Sequence, residues 1–398
     1  MTIKPLQLGI SGLGRGFMLL LPTLAAHPGI KLMAAADPRA EARAQFEQDF
    51  AGFATDDFEV LCQRDDVEAI YIASPHQFHR PQVELAAKYG KHVLVEKPMA
   101  LSIEDCQSMI TAMAAANRHM VVGHSHSFDV PYLETARLIQ SGQFGQVRMI
   151  TAFNYTDFLY RPRRPEELMT ELGGGVVFSQ AAHQVDIVRL LGGGRVSSVW
   201  ARTGSWDHAR KTEGAYSAML NFDQGAFANM TYSGYAHFDS DEFHQWHGEL
   251  GQKRSAHEYG KARQLLATVQ NAEEEAALKN KRAYGQGLSL KDTSLEGIGH
   301  NHFGHIIISC DQCDLRPTPQ GIEVFGQTER SFIRLAKPHI PRREVLDELI
   351  AAARFNQAPI HSGEWGLATM EVCFAILESN RTRAEIVMAH QTDVVMDT

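Results

Sequence analysis

The sequence predicts an α/β protein of two domains, the first of which contains a doubly wound parallel sheet. The chain has 398 residues, more than one small core needs. In its first third, short apolar runs alternate with helical segments, a pattern typical of a parallel sheet covered on both faces. After about Phe144 the sequence becomes rich in strand patterns. We therefore expect a first domain over residues 1–128 and a second over residues 129–398.

The elements of the first domain follow from its apolar runs and its turn residues. Strands are predicted over residues 6–11, 30–36, 67–73, 92–95 and 120–123. Helices are predicted over residues 17–27, 39–50, 81–89 and 103–116. This alternation places the strands side by side in one parallel sheet.

The second domain is predicted to contain strands over residues 147–155, 196–203, 216–222 and 225–233, the last two joined by a turn. A charged helical insertion is predicted near residues 250–290, with its helix over residues 256–282. It is interpreted either as a solvated helix or as an arm that reaches another subunit. Helices over residues 342–356 and 365–379 close the chain.

Composition and charge argue against several classes of function. The formal net charge is −9, so a nucleic acid partner is not expected. No apolar run reaches the roughly 20 residues that span a bilayer, so a membrane partner is not expected either. Residues 17–26 look like the core of a signal peptide but are interpreted as the first helix. Five scattered cysteines favour a reducing compartment, and therefore a cytoplasmic protein.

The turn after the first strand points to a nucleotide. It consists of Gly12, Leu13, Gly14, Arg15, Gly16 and Phe17. The N–H groups at a helix N-terminus bind phosphate, and glycines let the backbone approach it. Two glycines match the dinucleotide fingerprint, whereas Phe17 occupies its third position. The turn predicts a Rossmann fold that holds a dinucleotide pyrophosphate; the alternative is an ordinary tight turn.

Asp37, at the end of the second predicted strand, indicates the cofactor. It lies 23 residues after Gly14, close to the usual spacing of about 20. A carboxylate there accepts hydrogen bonds from the ribose hydroxyls of NAD and repels the 2′-phosphate of NADP. Arg39 could soften that repulsion, and Asp37 could instead be an N-cap. We expect NAD, with NADP less favoured.

Further motifs are distinctive in combination: Ser74-Pro75 with His79, Glu96-Lys97-Pro98, and Gly173-Gly174-Gly175 followed by His183 and Asp186. With the glycine turn, they make the chain resemble the Gfo/Idh/MocA oxidoreductase family. The resemblance implies a Rossmann domain followed by an α/β domain with a large, open, mostly antiparallel sheet. The substrate would lie against that sheet, facing the nicotinamide. An open sheet face also predicts a homo-oligomer, a dimer or a tetramer.

The resemblance implies site residues. Lys97 would be the active-site lysine and His183 the acid/base. Ser74, Pro75, His79, Glu96 and Lys97 itself would join the glycine turn, Asp37 and Arg39 in binding the cofactor. Histidine suits proton transfer near neutral pH, and a lysine cation stabilises a developing alkoxide. The alternatives are a surface Lys97 paired with Glu96 and a core His183.

The chain departs from the family pattern near these residues. Ser179 stands where family members usually carry an aspartate, four residues before His183, so another group, such as Asp186, would have to orient the histidine. His124 and His126 replace the family's Arg-Phe pair. They alternate as on a strand, which would put them on one face, where they line the pocket or cap the sheet edge. Ser179 and both histidines are candidate substrate contacts.

Five segments resemble a narrower group, the phthalate 4,5-cis-dihydrodiol dehydrogenases: residues 75–79, 124–128, 157–165, 178–186 and 232–238. This resemblance implies an anionic cis-diol that is oxidised to 4,5-dihydroxyphthalate, a step that aromatisation favours. The alternatives are a sugar, polyol or hydroxymuconate-type substrate, or a catalytically silent dinucleotide-binding regulator.

An arginine cluster follows Tyr160 and would fit such an anion. It contains Arg161, Arg163 and Arg164. Guanidinium groups bind carboxylates through paired hydrogen bonds. A solvated basic loop or a subunit contact would explain the cluster equally well.

A metal site is not expected. His300, His302, His305, Cys310 and Cys313 do not have the spacing of a common zinc site. His302 or His305 is more plausibly a residue of the active-site cleft.

Overall fold

The structure, a computed structural model, describes residues 4–293 and 299–396. The chain divides into two compact units. Unit 1 comprises Met1–His124, Ala277–Glu296 and His339–Leu367; unit 2 comprises Ser125–Ala276, Gly297–Pro338 and Ala368–Thr398. The chain first passes from unit 1 to unit 2 after His124, near the predicted domain limit at residue 128. Two later segments of unit 1 lie within the range predicted for the second domain.

Unit 1 contains a six-stranded parallel sheet, which confirms the predicted fold of the first domain. Its strands are β1 Leu6–Ser11, β2 Ile30–Ala36, β3 Phe53–Thr55, β4 Ala69–Ile72, β5 His92–Val95 and β6 Met120–Val122. Their order is β3-β2-β1-β4-β5-β6, the order of a Rossmann sheet. A ligand of such a sheet binds at the carboxyl ends of the strands, where the order reverses between β1 and β4.

The helices of unit 1 connect these strands. They are α1 Arg15–Ala26, α2 Ala40–Phe50, α3 Phe58–Cys62, α4 His79–Lys88 and α5 Ile103–Ala115. Four were predicted, with ends that differ by one or two residues. β3 and α3 were missed because three and five residues are too few to show a period. Helix Arg343–Phe355 confirms the helix predicted over residues 342–356 and belongs to unit 1.

Unit 2 is built on a nine-stranded, largely antiparallel sheet, which confirms the predicted second fold. Its strands are β7 Val147–Tyr155, β8 Val196–Gly204, β9 Ala215–Phe222, β10 Phe227–Ser233, β11 His305–Cys310, β12 Cys313–Thr318, β13 Gly321–Gly326, β14 Arg330–Arg334 and β15 Ile386–Val387. The order is β14-β13-β12-β11-β7-β10-β9-β8-β15. Only β7 and β10 run parallel among the described pairs.

Two helices of unit 2 pack against this sheet. Helix α6, Val130–Gln140, contacts β12 and β13, and α7, Ala182–Gly192, contacts β7 and β10. A π-helical segment, Val177–Ala181, immediately precedes α7. Helix Gly363–Thr382 confirms the second closing helix. Across the described ranges, none of the helices is both long enough and apolar enough to cross a membrane.

The prediction of one helix over residues 256–282 is wrong. The structure contains two short helices there, Lys261–Leu266 and Ala272–Asn280. The second begins at a new N-cap, since the side chain of Asn271 accepts a hydrogen bond from the N–H of Glu274 at 2.9 Å. The chain beyond residue 276 then joins unit 1.

Candidate active site

The glycine turn of unit 1 has the shape that a diphosphate requires. Gly12 has φ +88°, and a Cβ there would lie 2.7 Å from the backbone nitrogen of Ser74, so only glycine fits. A Cβ at Gly14 would meet nothing within 4 Å, which leaves open space above the turn. No side chain caps the start of α1. The first N–H groups of the helix thus remain available to an anion, and the residues fit a bound dinucleotide.

Positive charge surrounds this turn. Desolvation, with Arg282 and Arg342 nearby, lowers the pKa of Arg15 to about 10, so its guanidinium stays charged at neutral pH. All three arginines belong to unit 1. Such a cluster complements the two negative charges of a pyrophosphate.

Asp37 follows β2 and is only 4% exposed. Its carboxylate accepts hydrogen bonds from the N–H of Leu13 at 2.7 Å and from the N–H of Arg39 at 2.9 Å. The Arg39 side chain adds two more, from Nε at 3.0 Å and from a terminal nitrogen at 3.1 Å. The Asp37 carboxylate therefore ties the glycine turn to the start of α2, and Arg39 neutralises its charge.

Residues 277–293 form a strap over this part of unit 1. Arg39 donates to the carbonyl of Tyr284 at 3.0 Å, and the Tyr284 ring meets that of Phe17 edge to face at 5.2 Å. The Tyr284 hydroxyl donates to Asp49 of α2 at 2.7 Å. Gly285 permits this contact, because a Cβ there would lie 2.6 Å from Cα of Ala42. The strap was not predicted, and its only signal in the sequence is a Tyr-Gly pair within a charged insertion.

Lys97 follows β5, as the glycine turn follows β1 and Ser74 follows β4. β1, β4 and β5 are parallel and in register, so these residues share the carboxyl edge of the sheet. Burial raises the pKa of the neighbouring Glu96, whose carboxylate accepts from the Tyr71 hydroxyl at 2.5 Å. The Glu96 side chain lies beneath the turn, 3.5 Å from the Cβ position of Gly16.

His79 was predicted to contact the cofactor, and that contact stays a prediction. The imidazole is 1% exposed, and its nitrogens lie 3.1 Å from the carbonyl oxygen of Pro98 and 3.0 Å from that of Ser74. His79 thus ties together the loops that follow β4 and β5. The Ser74 hydroxyl donates to Gln82 at 2.7 Å, and Pro75 precedes a short 3₁₀ turn.

In unit 2, His183 stands in the first turn of α7 and is 8% exposed. Glu213 holds the chain that leads to it, since its carboxylate accepts from the N–H of Val177 at 3.1 Å and also from Thr170. A Cβ at Gly175 would collide with Glu213, which explains a glycine there. Burial raises the pKa of Glu213.

Three aromatic rings meet around His183. The His183 and His126 rings lie edge to face with centroids 4.9 Å apart, and Phe303 lies 5.2 Å from His183 and 5.1 Å from His126. His126 Nδ1 lies 2.6 Å from a carboxylate oxygen of Asp129, whose other oxygen accepts from Asn301 at 3.0 Å. Asp129, Asn301 and Phe303 were missed. Only Asp129, three residues after His126, was within reach of sequence reasoning.

The predicted strand alternation of His124 and His126 is wrong. β6 ends at Val122, and His126 begins a 3₁₀ turn, His126–Phe128. Both histidines are buried, so neither caps an exposed edge.

The two groups considered as orienting partners for His183 have other hydrogen bonds. The Ser179 hydroxyl donates back to the carbonyl of Gly175 within the helical turn, and its contact with the substrate stays a prediction. The Asp186 carboxylate accepts from Ser127 and, at 3.0 Å, from Thr369.

The cluster after Tyr160 does not act as one group. Arg161 contacts Asp157 at 3.0 Å and Glu249 at 3.8 Å. Burial alone would lower the pKa of Arg161, but these carboxylates outweigh it and raise the pKa. Arg161 is therefore paired with carboxylates of the chain itself, and its contact with a substrate anion stays a prediction.

Arg163 differs from its neighbour. It stacks on the Phe158 ring at 3.6 Å and donates to the carbonyl of Phe158 at 2.7 Å. Desolvation lowers its pKa to about 10, so it stays charged at neutral pH. Within the described ranges no carboxylate forms a salt bridge with Arg163, and its buried Nε lacks a hydrogen-bond partner.

Tyr160 and Arg164 have local partners instead. The Tyr160 hydroxyl donates to Asp207 at 3.0 Å, and Arg263 covers the Tyr160 ring at 4.0 Å. The backbone N–H of Arg164 donates to Glu167 at 2.8 Å and begins a 3₁₀ turn.

His300, His302 and His305 are buried, and the imidazoles of His300 and His302 each lie near a backbone carbonyl. His300 approaches the carbonyl oxygen of Ala336 at 2.7 Å, and His302 that of His247 at 2.7 Å. Burial lowers the pKa of His302 to about 4. The described residues include no group of three or more His, Cys, Asp or Glu side chains arranged to hold a metal.

Comparisons with known proteins agree with these two units. Residues 6–124 match the Gfo/Idh/MocA family model described as an oxidoreductase family with an NAD-binding Rossmann fold, and residues 132–253 match its C-terminal domain. The chain belongs to the Gfo/Idh/MocA oxidoreductase family. It is an NAD-dependent dehydrogenase, as the sequence predicted.

Three relatives illustrate the match within this family. The chain is 48% identical over 377 residues to a 1-carboxy-3-chloro-3,4-dihydroxycyclohexa-1,5-diene dehydrogenase of Comamonas testosteroni, covering 94% of this chain and 95% of the relative. A crystal structure from Bordetella bronchiseptica RB50, described as a dehydrogenase, has TM-score 0.90 at 38% identity, covering 96% and 100%. The WlbA dehydrogenase of Bordetella pertussis, solved with NADH and UDP-GlcNAcA, has TM-score 0.69 at 19% identity, covering 98% and 99%, and shows the fold alone.

Proposed function

We propose that this dehydrogenase oxidises a carboxylated cyclohexadiene cis-diol to the corresponding catechol, with cis-4,5-dihydro-4,5-dihydroxyphthalate as the specific substrate. The observation that carries the proposal is the 48% identity, along nearly the whole chain, to a dehydrogenase whose substrate is itself a carboxylated dihydroxycyclohexadiene. We also propose a cytoplasmic location, consistent with five cysteines that form no disulfide in the described part of the chain.

We assign the reaction to Lys97 and His183. Bound NAD would supply the hydride acceptor. His183 takes the proton of the substrate hydroxyl, because a neutral imidazole is a suitable base near pH 7. Lys97, a half-buried cation at the carboxyl edge of the sheet, stabilises the negative charge that develops on oxygen. The resulting enone tautomerises to an aromatic ring, and that gain draws the oxidation forward.

Arg163 is the residue that we assign to the substrate carboxylate. No described carboxylate forms a salt bridge with the Arg163 side chain, unlike that of Arg161, although Glu167 lies near enough to raise the pKa of Arg163. A row of rings connects it to the acid/base: Phe158 beneath Arg163, Tyr232 at 6.5 Å from Phe158, and Phe303 at 6.1 Å from Tyr232 and 5.2 Å from His183. These flat apolar surfaces suit an unsaturated ring better than a hydroxyl-rich sugar.

We propose that a second copy of the chain covers the exposed face of the unit 2 sheet. Trp200 of β8, Met219 of β9 and Phe227 of β10 are 42%, 41% and 38% exposed. Trp200 and Met219 are paired across neighbouring strands. An apolar patch of this kind marks an interface more often than a solvent-facing surface. Sedimentation of the purified protein should therefore show a dimer or a larger oligomer.

Formation of NADH from NAD tests the substrate. The panel should contain phthalate cis-dihydrodiol, a monocarboxylated cis-dihydrodiol, an uncarboxylated cis-dihydrodiol, inositol and glucose. We expect turnover with the carboxylated diols, the first of them fastest, and at least about tenfold lower kcat/KM without a carboxylate. Faster turnover of inositol or glucose would overturn the proposal, and reduction of no cofactor by any compound would favour a binding regulator.

A further inference from the structure

We propose that the Asp129–His126 pair is the positioning group for His183 and supplies the negative charge that its cationic form needs. This inference rests on the proposed role of His183 as the acid/base. It gives His126 a different role from the substrate contact that the sequence predicted.

The geometry supports the pair in three respects. Asp129 is buried and held from both sides, by His126 Nδ1 at 2.6 Å and by Asn301 at 3.0 Å. A proton on His126 Nδ1 leaves Nε2 of the neutral ring as an acceptor. The His126 ring in turn meets the His183 ring edge to face at 4.9 Å, and Phe303 packs against both. The Asp129 carboxylate, the His126 imidazole and the His183 imidazole thus lie next to one another in that order, held in place by packing.

The proposed proton transfer to His183 requires a negative charge near its imidazole. As the C–H hydride leaves the substrate, its O–H proton moves to His183, which becomes a cation in a buried site. A buried cation is costly unless a negative charge lies near it. Ser179 carries no charge, and its hydroxyl is bonded to Gly175. The Asp186 carboxylate accepts from two hydroxyls and is also close to the buried Arg189.

The titratable groups around the pair are His300, His302, Tyr132, Asp241, which lies 3.5 Å from His302, and Glu249, which acts on Tyr132. Burial lowers the pKa of His300, and lowers that of His302 to about 4, so both are neutral. The Tyr132 hydroxyl oxygen accepts a hydrogen bond from the backbone N–H of Phe303 at 2.8 Å, and burial raises the pKa of Tyr132. Asp129 is the carboxylate in direct contact with His126, so it is the charge that the experiment alters.

The first test compares the pH dependence of kcat/KM for the carboxylated diol in Asp129→Asn and wild-type enzyme. The amide keeps the shape and removes the charge. We expect kcat to fall about 100-fold with KM changed less than about threefold, and the acidic limb to move about one pH unit lower. His126→Phe retains the ring packing and the Asp129 charge but removes the imidazole between Asp129 and His183, so kcat should fall while the limb moves less than in Asp129→Asn. Asp129→Glu, which retains the charge, should leave the limb in place.

The second test separates this inference from the proposed function. Proton NMR with ¹⁵N-labelled histidine follows the titration of His183 without substrate. If no diol is oxidised, the proposed function fails, but a His183 pKa that is lower in Asp129→Asn than in the wild type still supports the pair. Exposed Asp311→Asn is the control and should change neither readout. An unaltered His183 titration in both Asp129→Asn and His126→Phe would overturn the inference.

Discussion

The imidazole rings of His126 and His183 meet edge to face, with centroids 4.9 Å apart. They come from different elements, a 3₁₀ turn after β6 and the first turn of α7, and Phe303 from a third segment packs on both. A histidine enclosed in this way has a fixed orientation. Because reaction rates depend steeply on the alignment of a base with its proton, this enclosure matters for catalysis.

Lys97→Ala should lower kcat by about 1000-fold if the ammonium group stabilises the alkoxide. The affinity for NADH, measured by fluorescence, should change much less, since the glycine turn and not Lys97 would hold the pyrophosphate. Lys88→Ala is the matched control, because Lys88 is exposed and its salt bridge with Glu59 is long, at 4.0 Å. Near-normal kcat in Lys97→Ala would refute the assigned role.

Arg163→Met should raise KM for the carboxylated diol by about 10- to 100-fold, because one charged hydrogen-bonding partner is lost. KM for the uncarboxylated diol should stay within about twofold. Arg161→Met should act differently and lower the melting temperature, because it leaves Asp157 and Glu249 without their cation. Exposed Arg148→Met is the control. Equal effects of Arg163→Met on both diols would contradict a carboxylate contact.

The difference between predicted and observed features has a physical pattern. The strands up to β10 except β3, the glycine turn and the position of Lys97 could be predicted because they depend on local periodicity and on residues that follow a strand directly. Asn301, Phe303 and Tyr284 could not, because their importance arises from contacts across long stretches of sequence. Tyr284 lies 245 residues from Arg39 and Asn301 lies 172 from Asp129. The prediction of a strand at His124 and His126 was wrong because two histidines separated by one residue also occur in a loop.

The strap gives a prediction about unit 1. Tyr284→Ala should destabilise the fold by about 3–5 kcal/mol, because the ring is fully buried against Phe17 and its hydroxyl binds Asp49. Tyr284→Phe should cost only about 1 kcal/mol, the loss of one hydrogen bond. Thermal unfolding measures both. An arm that served only another subunit would give the opposite result, an unchanged melting temperature at concentrations where the protein is monomeric.

Asp241 predicts a dependence of stability on pH. Burial, with Asp239 and Glu249 nearby, raises its pKa to about 7, although Arg254 opposes the shift. A carboxyl whose pKa is raised by folding stabilises the protein fully below its unfolded value near 4, and that contribution is lost as the pH rises through 7. Asp241→Asn does not titrate, so its stability relative to the wild type should rise by about 2 kcal/mol between pH 5 and pH 8. Melting curves at both pH values measure the difference. Asp311→Asn, whose wild-type carboxyl has a lowered pKa, should follow the wild type over this range, and parallel curves for Asp241→Asn would show that Asp241 is already ionised at pH 5.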